Sequence, residues 1–165
     1  MAVVDFFLKI EGIDGESTDD KHKGEIQLTS FSWGMSNPGS LSSAGGGAGA
    51  GKSVAQDFHF ASPSSKASPK LMMECASGKH IQSAVLSVVS GRSRDAFYKI
   101  TLTNVLISSF QTGGGEAANG NDQVPQDQVS LNFAAISFEY RSQGPTGAQV
   151  PPVVGSWDFS GKKAT

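Results

Sequence analysis

The sequence predicts an all-β fold, a barrel or a sandwich, with one helix. Three observations carry that reading. Segments of alternating apolar and polar residues recur along the whole chain, the period expected of half-buried strands. Only one segment, near 68–77, has apolar residues at helical spacing. No strand–helix–strand rhythm occurs, so a parallel α/β sheet is disfavoured.

The first strand is Val4 to Glu11. Val4, Phe6, Leu8 and Ile10 share one face, Asp5, Lys9 and Glu11 the other, and Phe7 breaks the rule. Residues 12–24 are polar and turn-like. A second strand runs from about Glu25 to Gly34. Its apolar phase switches between Ile26/Leu28 and Phe31/Trp33, which predicts a bulge or sharp twist. Asn37 to Lys52 is a long Gly/Ser/Ala loop with Leu41 as its only sizeable apolar residue. Such a composition cannot bury enough surface to fold by itself. Val54 to Phe60 alternates again, with Val54, Phe58 and Phe60 on one parity.

The helix is signalled by Ser68 as N-cap, Pro69 as first helical residue and Gly78 as stop. Leu71, Met72, Cys75 and Ala76 form its apolar stripe. Gln82 to Val89 and Ala96 to Phe110 follow as strands. On the second, Tyr98, Ile100, Leu102, Leu106 and Phe110 have one parity, Val105 and Ile107 the other. Gly113 to Asn121 reads as a turn region. Val129 to Tyr140 is another long strand, with a parity switch across Ala134-Ala135 that predicts a second bulge. A Pro/Gly/Gln linker, Gln143 to Pro152, leads to a short strand at Gly155 to Phe159.

The 165 residues, net charge −2 and single cysteine bound the function. The length suits one domain, 1–165, able to bury a core without staples. The weak acidic balance argues against nucleic-acid binding. One thiol, Cys75, cannot form an internal disulfide. The N-terminus lacks a secretory signature, and no stretch approaches a membrane span. These features predict a soluble chain made in the cytoplasm, without membrane insertion.

Gly46-Gly47-Ala48-Gly49-Ala50-Gly51-Lys52-Ser53 matches the phosphate-binding pattern G-x-x-x-x-G-K-S. That pattern needs a strand before it and a helix opening after it. Here the flanking residues alternate as strand, so the match reads as a glycine loop that ends in Lys-Ser. His22, His59 and His80 show no metal-ligand spacing. Cys75 and His80 are five apart, off a common helical face, so Cys75 reads as a core residue. Glu16, Asp19 and Asp20 read as a solvated turn. No catalytic residue, metal site or cofactor site is assigned. Phe31 and Trp33 claim one face of their strand, and Ser30, Ser32 and Gly34 the other. That polar face reads equally as plain surface or as the lining of a cavity or channel.

Several strings occur in an order that resembles one family. They are Phe6-Phe7-Leu8-Lys9-Ile10, Gly15-Glu16-Ser17, His22-Lys23 and Phe31-Ser32-Trp33-Gly34-Met35-Ser36. The Gly45–Lys52 loop, Gln56-Asp57-Phe58, Ser68-Pro69-Lys70-Leu71-Met72-Met73 and Ser77-Gly78-Lys79-His80 come next. Leu102 to Ser109, Val129-Ser130-Leu131-Asn132-Phe133-Ala134 and Trp157-Asp158 complete the set. The chain is similar, essentially end to end, to the hemolysin-coregulated protein family, the tube subunit of type VI secretion.

The resemblance implies a two-sheet β-barrel with one short flanking α-helix. It implies a non-enzymatic structural protein that forms hexameric rings stacked into a tube, inside a contractile sheath and under a spike protein. Small effectors would travel in the lumen, and the protein would leave the cytoplasm through the machine it builds. On that view Ser30 and Ser32 face the lumen. The long loop, with Ser40, Leu41, Gly45, Gly46, Gly47 and Lys52, mediates ring stacking. The competing readings are a monomeric or dimeric β-sandwich binding module and a small hydrolase. The second lacks a catalytic constellation, and native mass separates the first from a hexamer.

Overall fold

The computed structural model describes residues 3–38, 53–115, 124–142 and 150–161. Its strands are β1 (Val4–Ile10), β2 (Ile26–Leu28), β3 (Ser30–Ser32), β4 (Met35–Ser36), β5 (Val54–Ala55) and β6 (Phe58–Pro63). After helix α1 (Ala67–Ser77) come β7 (Ile81–Ser90), β8 (Ala96–Gly113), β9 (Gln126–Tyr140) and β10 (Val153–Asp158). The main sheet has the order β2-β1-β7-β8-β9-β6-β3, with β10 also joined to β9. All its pairings are antiparallel. The two ends of that order, β2 and β3, are consecutive stretches of chain separated only by Thr29. The chain itself therefore bends the sheet round into a nearly closed barrel.

That bend corrects the reading of Glu25–Gly34 as one strand. β2 pairs with β1, Leu28 opposite Phe6, whereas β3 pairs with β6, Phe31 opposite Phe60. Thr29 is the corner, its N–H donating to the Ala61 carbonyl at 2.8 Å. The phase switch marks a change of partner strand. Val54–Phe60 is likewise two strands, broken at Gln56-Asp57. β5 pairs with β4 as the stem of a separate hairpin, while β6 joins the barrel.

β8 and β9 bend together. The buried residues of β8 change parity between Leu102 and Val105, and those of β9 between Phe133 and Ile136. These switches face each other, with Thr103 opposite Ala135 and Val105 opposite Phe133. Asn104 takes the left-handed conformation, φ 54°, which asparagine tolerates better than most residues. A further irregularity at Ser108 separates the Ile107–Leu131 and Ser109–Ser130 pairs. β8 also runs on to Gly113, into the expected turn region.

Phe7 breaks the alternation because β1 is covered on both sides. Phe7 is 2% exposed, and the His22 ring stacks on it at 4.7 Å and 4°. Residues 11–25 fold back over this outer face. Arg94 ties them down, reaching Asp5 at 2.9 Å and also Asp19, while Lys21 reaches Asp95 at 2.8 Å. The hydrogen bond and charge of Lys21 hold the Asp95 carboxyl below its ordinary range. The expected solvated turn is thus a strap anchored through Asp19, while Glu16 and Asp20 remain exposed as expected.

Helix α1 starts earlier than Ser68. It spans Ala67–Ser77, with Lys66 as an N-cap that makes no side-chain cap bond. Ser68 accepts from the Ser65 N–H at 3.0 Å and donates to Asp127. Gly78 ends the helix as expected, φ 66°. The buried stripe is narrower than expected: Ala67 and Leu71 are buried and Cys75 packs on the core, but Met72 and Met73 are 53% and 59% exposed and Ala76 faces outward. Asp127, 1% exposed, accepts from Ser64 at 2.7 Å and from Ser68. A carboxylate at the first turn complements the helix dipole, so Asp127 pins α1 to β9. Asp127→Ala is expected to cost about 1–3 kcal/mol, because two half-buried hydroxyls lose their acceptor. Urea denaturation measures this, and Asp127→Asn, which keeps an acceptor, should lose less.

Candidate functional site

The alternation of β3 places Phe31 and Trp33 against the core and leaves Ser30 and Ser32 exposed on the opposite face. Phe31 is held by rings on three sides, Phe6 at 5.3 Å, Phe58 at 5.9 Å and Tyr98 at 5.8 Å. The inference that these aromatics claim the core side is therefore correct. The serines belong to a larger surface. The register sets Ser30 beside Ala61 and Ser32 beside His59 on β6, and these beside Gln128 and Ser130 on β9. β8 continues it with Gln111 opposite Gln128 and Ser109 opposite Ser130. A shallow concavity of about 480 Å³ lies over Ser30, Ser32, His59, Ser109, Gln111 and Gln128.

This wall is built from hydroxyls and amides joined to one another. Ser108 donates to Asp57 at 2.6 Å, and its hydroxyl lies 3.0 Å from that of Ser130. Asn132 donates to Asp57 at 3.0 Å, and Ser109 and Ser130 are hydrogen-bonded. Ser130 is consequently 3% exposed although it lies on the outer face. Among the residues named here, Asp57 and His59 alone are titratable, and none is a lysine or arginine. Sequence reasoning found Ser30 and Ser32 but missed the rest of the wall. The signal was present on β9, where Gln128, Ser130 and Asn132 alternate with buried Val129, Leu131 and Phe133. It lacked only the register that sets β9 beside β6 and β3.

The wall ends in two strand edges. β3 pairs with β6 on one side and with no strand on the other among the described residues. β8 pairs with β9 through Gly113, but its pairing with β7 stops at Val105. The edge from Leu106 onward carries no strand among the described residues.

The remaining candidates separate from this surface. Ser40, Leu41, Gly45, Gly46, Gly47 and Lys52 lie outside the described residues. After Ser53 the chain forms strand β5 and no helix, so the context a phosphate-binding loop requires is missing. His22 pairs with Glu25 and His80 with Asn104, at 3.0 Å for the latter. Cys75 is a half-buried free thiol packed on the core. Among the described residues no group of three or more His, Cys, Asp or Glu is placed to hold a metal, and no helix is long and apolar enough to cross a membrane.

Comparison with known proteins agrees over nearly the whole chain. Residues 7–140 match the family described as "Type VI secretion system effector, Hcp". Protein hcp1 of Pseudomonas aeruginosa is 42% identical over 159 residues, covering 94% of this chain and 95% of that protein. The crystal structure of Hcp1 from Salmonella typhimurium superposes with a TM-score of 0.82 at 33% identity, covering 100% of both chains. The structure of a type six secretion system protein gives 0.88 at 27% identity, covering 99% of this chain and 100% of that one. With the expected barrel in place and a family match across the bulk of the sequence, the chain belongs to the Hcp family of the type VI secretion system and is a structural subunit of its tube.

Proposed function

We propose that the chain, as one domain, forms a hexameric ring that turns the wall of β3, β6, β9 and β8 toward its lumen, with Ser30 and Ser32 exposed to cargo. The observation that carries this is the chemistry of the wall. Its exposed polar groups other than His59 are hydroxyls and amides, several of them joined through the Asp57 carboxylate, and it carries neither lysine nor arginine. Such a lining neither binds a passing protein by burying apolar area nor selects it by net charge. The free edges of β3 and β8 suit the same arrangement. Unpaired edges are hazards in a monomer, and heterologous contacts between two different edges close into a ring.

On this reading the subunit works without catalysis or cofactor. Rings stack through the 37–52 loop, a sheath and a spike complete the machine, and small effectors ride inside. The chain is made in the cytoplasm and exported through the assembly. Ser32→Trp tests the lumen assignment. The exposed position accepts the bulk, so the ring keeps its native mass while retention of at least some cargo falls severalfold in a co-purification assay. Undiminished cargo retention by every effector tried would overturn the assignment, and a monodisperse monomer at micromolar concentration would overturn the ring and favour a binding module.

A further inference from the structure

The two titratable groups of the polar wall stand in opposite conditions. Asp57 is half-buried and accepts from Ser108 at 2.6 Å and from Asn132 at 3.0 Å. Ser108 is in turn joined to Ser130, and Ser130 to Ser109. These bonds engage the carboxylate within the wall itself. His59, two residues later, is exposed and makes no hydrogen bond or ion pair to another described residue. Its ring N–H is an open donor at the centre of the concavity of about 480 Å³. The register explains why it is central. Ser32 lies opposite His59 on β3, and Ser130 lies opposite it on β9. Those two strands present only hydroxyls and amides beside it, at Ser30, Ser32, Gln128, Ser130 and Asn132, and β8 adds Ser109. Asp57 is the sole charged group facing it among these residues.

We propose that His59 is a specificity-determining residue of the wall and takes a carboxylate from an acidic surface of the cargo, an inference that rests on the ring and lumen proposed above. The concavity offers the donors such a group needs. Side chains directly opposite in an antiparallel pair lie about 4.5–5.5 Å apart at Cβ, a span that one carboxylate bridges. One of its oxygens accepts from the His59 ring, and the other accepts from the Ser32 hydroxyl. The nearest competing anion, Asp57, is already held by its own two donors. Imidazole is also the side chain whose ordinary titration falls between pH 5 and 8. At neutral pH the wall thus offers this carboxylate a hydrogen bond without a positive charge. Acidification adds one cation per subunit to a concavity whose lining holds no lysine or arginine. Cyclic symmetry repeats that cation at one height around the lumen. Acidic cargo is then held more tightly, and basic cargo is repelled.

Fluorescent oligo-aspartate and oligo-lysine peptides keep their charges between about pH 5.5 and 7.5, so they serve as probes of the full chain by fluorescence anisotropy. The wild type is expected to bind oligo-aspartate about fivefold or more tightly at the lower pH, the scale of one close charge pair in water. High salt should erase that gain. His59→Gln keeps a polar group at an exposed position and should abolish the gain. His59→Lys supplies a permanent cation and should bind the peptide at both pH values about as tightly as the acidified wild type. His22 stacks on Phe7 and His80 bonds to Asn104, away from the wall. Both stay in place in the variants, so their titration cancels in the comparison. An undiminished gain in His59→Gln would overturn the proposal, as would no gain in the wild type or oligo-lysine binding that strengthens on acidification. Native mass of the same samples tests the ring separately. A His59-dependent gain in a monomer upholds the carboxylate site and removes the lumen, whereas a gain independent of His59 in a ring removes the site and leaves the ring.

Discussion

Phe58→Ala is expected to destabilise the barrel by about 3–5 kcal/mol, the range for removing a large aromatic side chain from a closed core. Phe58 is 0% exposed. Its ring stacks on Phe31 at 5.9 Å and meets Phe60 at 6.4 Å, while its backbone pairs with Leu131. It thus sits where the aromatic side of β3 meets the inner side of β6, beneath the polar wall. A cavity there cannot be filled by a local shift, because two rigid rings and two paired strands frame it. A loss of this size is a large part of the 5–15 kcal/mol that typically separates folded from unfolded domains. Urea unfolding at fixed protein concentration measures it, since subunit association adds to apparent stability. A loss below about 1 kcal/mol would mean that Phe58 is not a core residue. Because Phe31 positions Ser30 and Ser32, the same variant should also loosen the lumen face.

The elements that could be read from the sequence were those whose pattern depends on one face being wet. β8 and β9 alternate over many residues and β1 does so apart from Phe7, so their positions were legible, whereas β7, buried on both faces toward its end, was legible from its β-branched residues. So was the core side of Phe31 and Trp33. What escaped reading was decided by distant partners. Phe7 looked like an error in alternation until the strap and His22 were placed over it. The phase change at Thr29 suggested a bulge, but no local signal distinguishes a bulge from a strand that exchanges partners. The helix start moved because Asp127, far along the chain, recruited Ser68 away from a capping role. The polar wall followed the same rule. Ser30 and Ser32 were legible from β3 alone, whereas Asp57, Ser108 and Asn132 needed the bent β8–β9 register to meet.

Replacing Ser40 to Gly51 with a short Gly-Ser turn is expected to leave hexamers intact and abolish tube formation and secretion. The stem of this segment is the β4–β5 hairpin, with Met35 opposite Ala55 and Ser36 opposite Val54. That stem pairs with no other strand among the described residues, so its loop is not needed to complete the barrel. Loop-closure entropy changes by only about 0.6 kcal/mol per doubling of length, so shortening should alter stability by about 1 kcal/mol or less. Yet Met35 and Val54 are 47% and 51% exposed, an apolar stem leading to a segment in which Leu41 is the only sizeable apolar residue. Long loops in compact domains usually have a use. Here the proposed use is a reach from one ring to the next, with Leu41 as anchor. Glycine carries a large ordering cost on docking, which suits a contact between rings that forms in a polymer and releases after delivery. Negative-stain images and a secretion assay read the result. Normal tubes from the shortened chain would remove the loop from the stacking contact, and loss of the hexamer would move it to the ring interface.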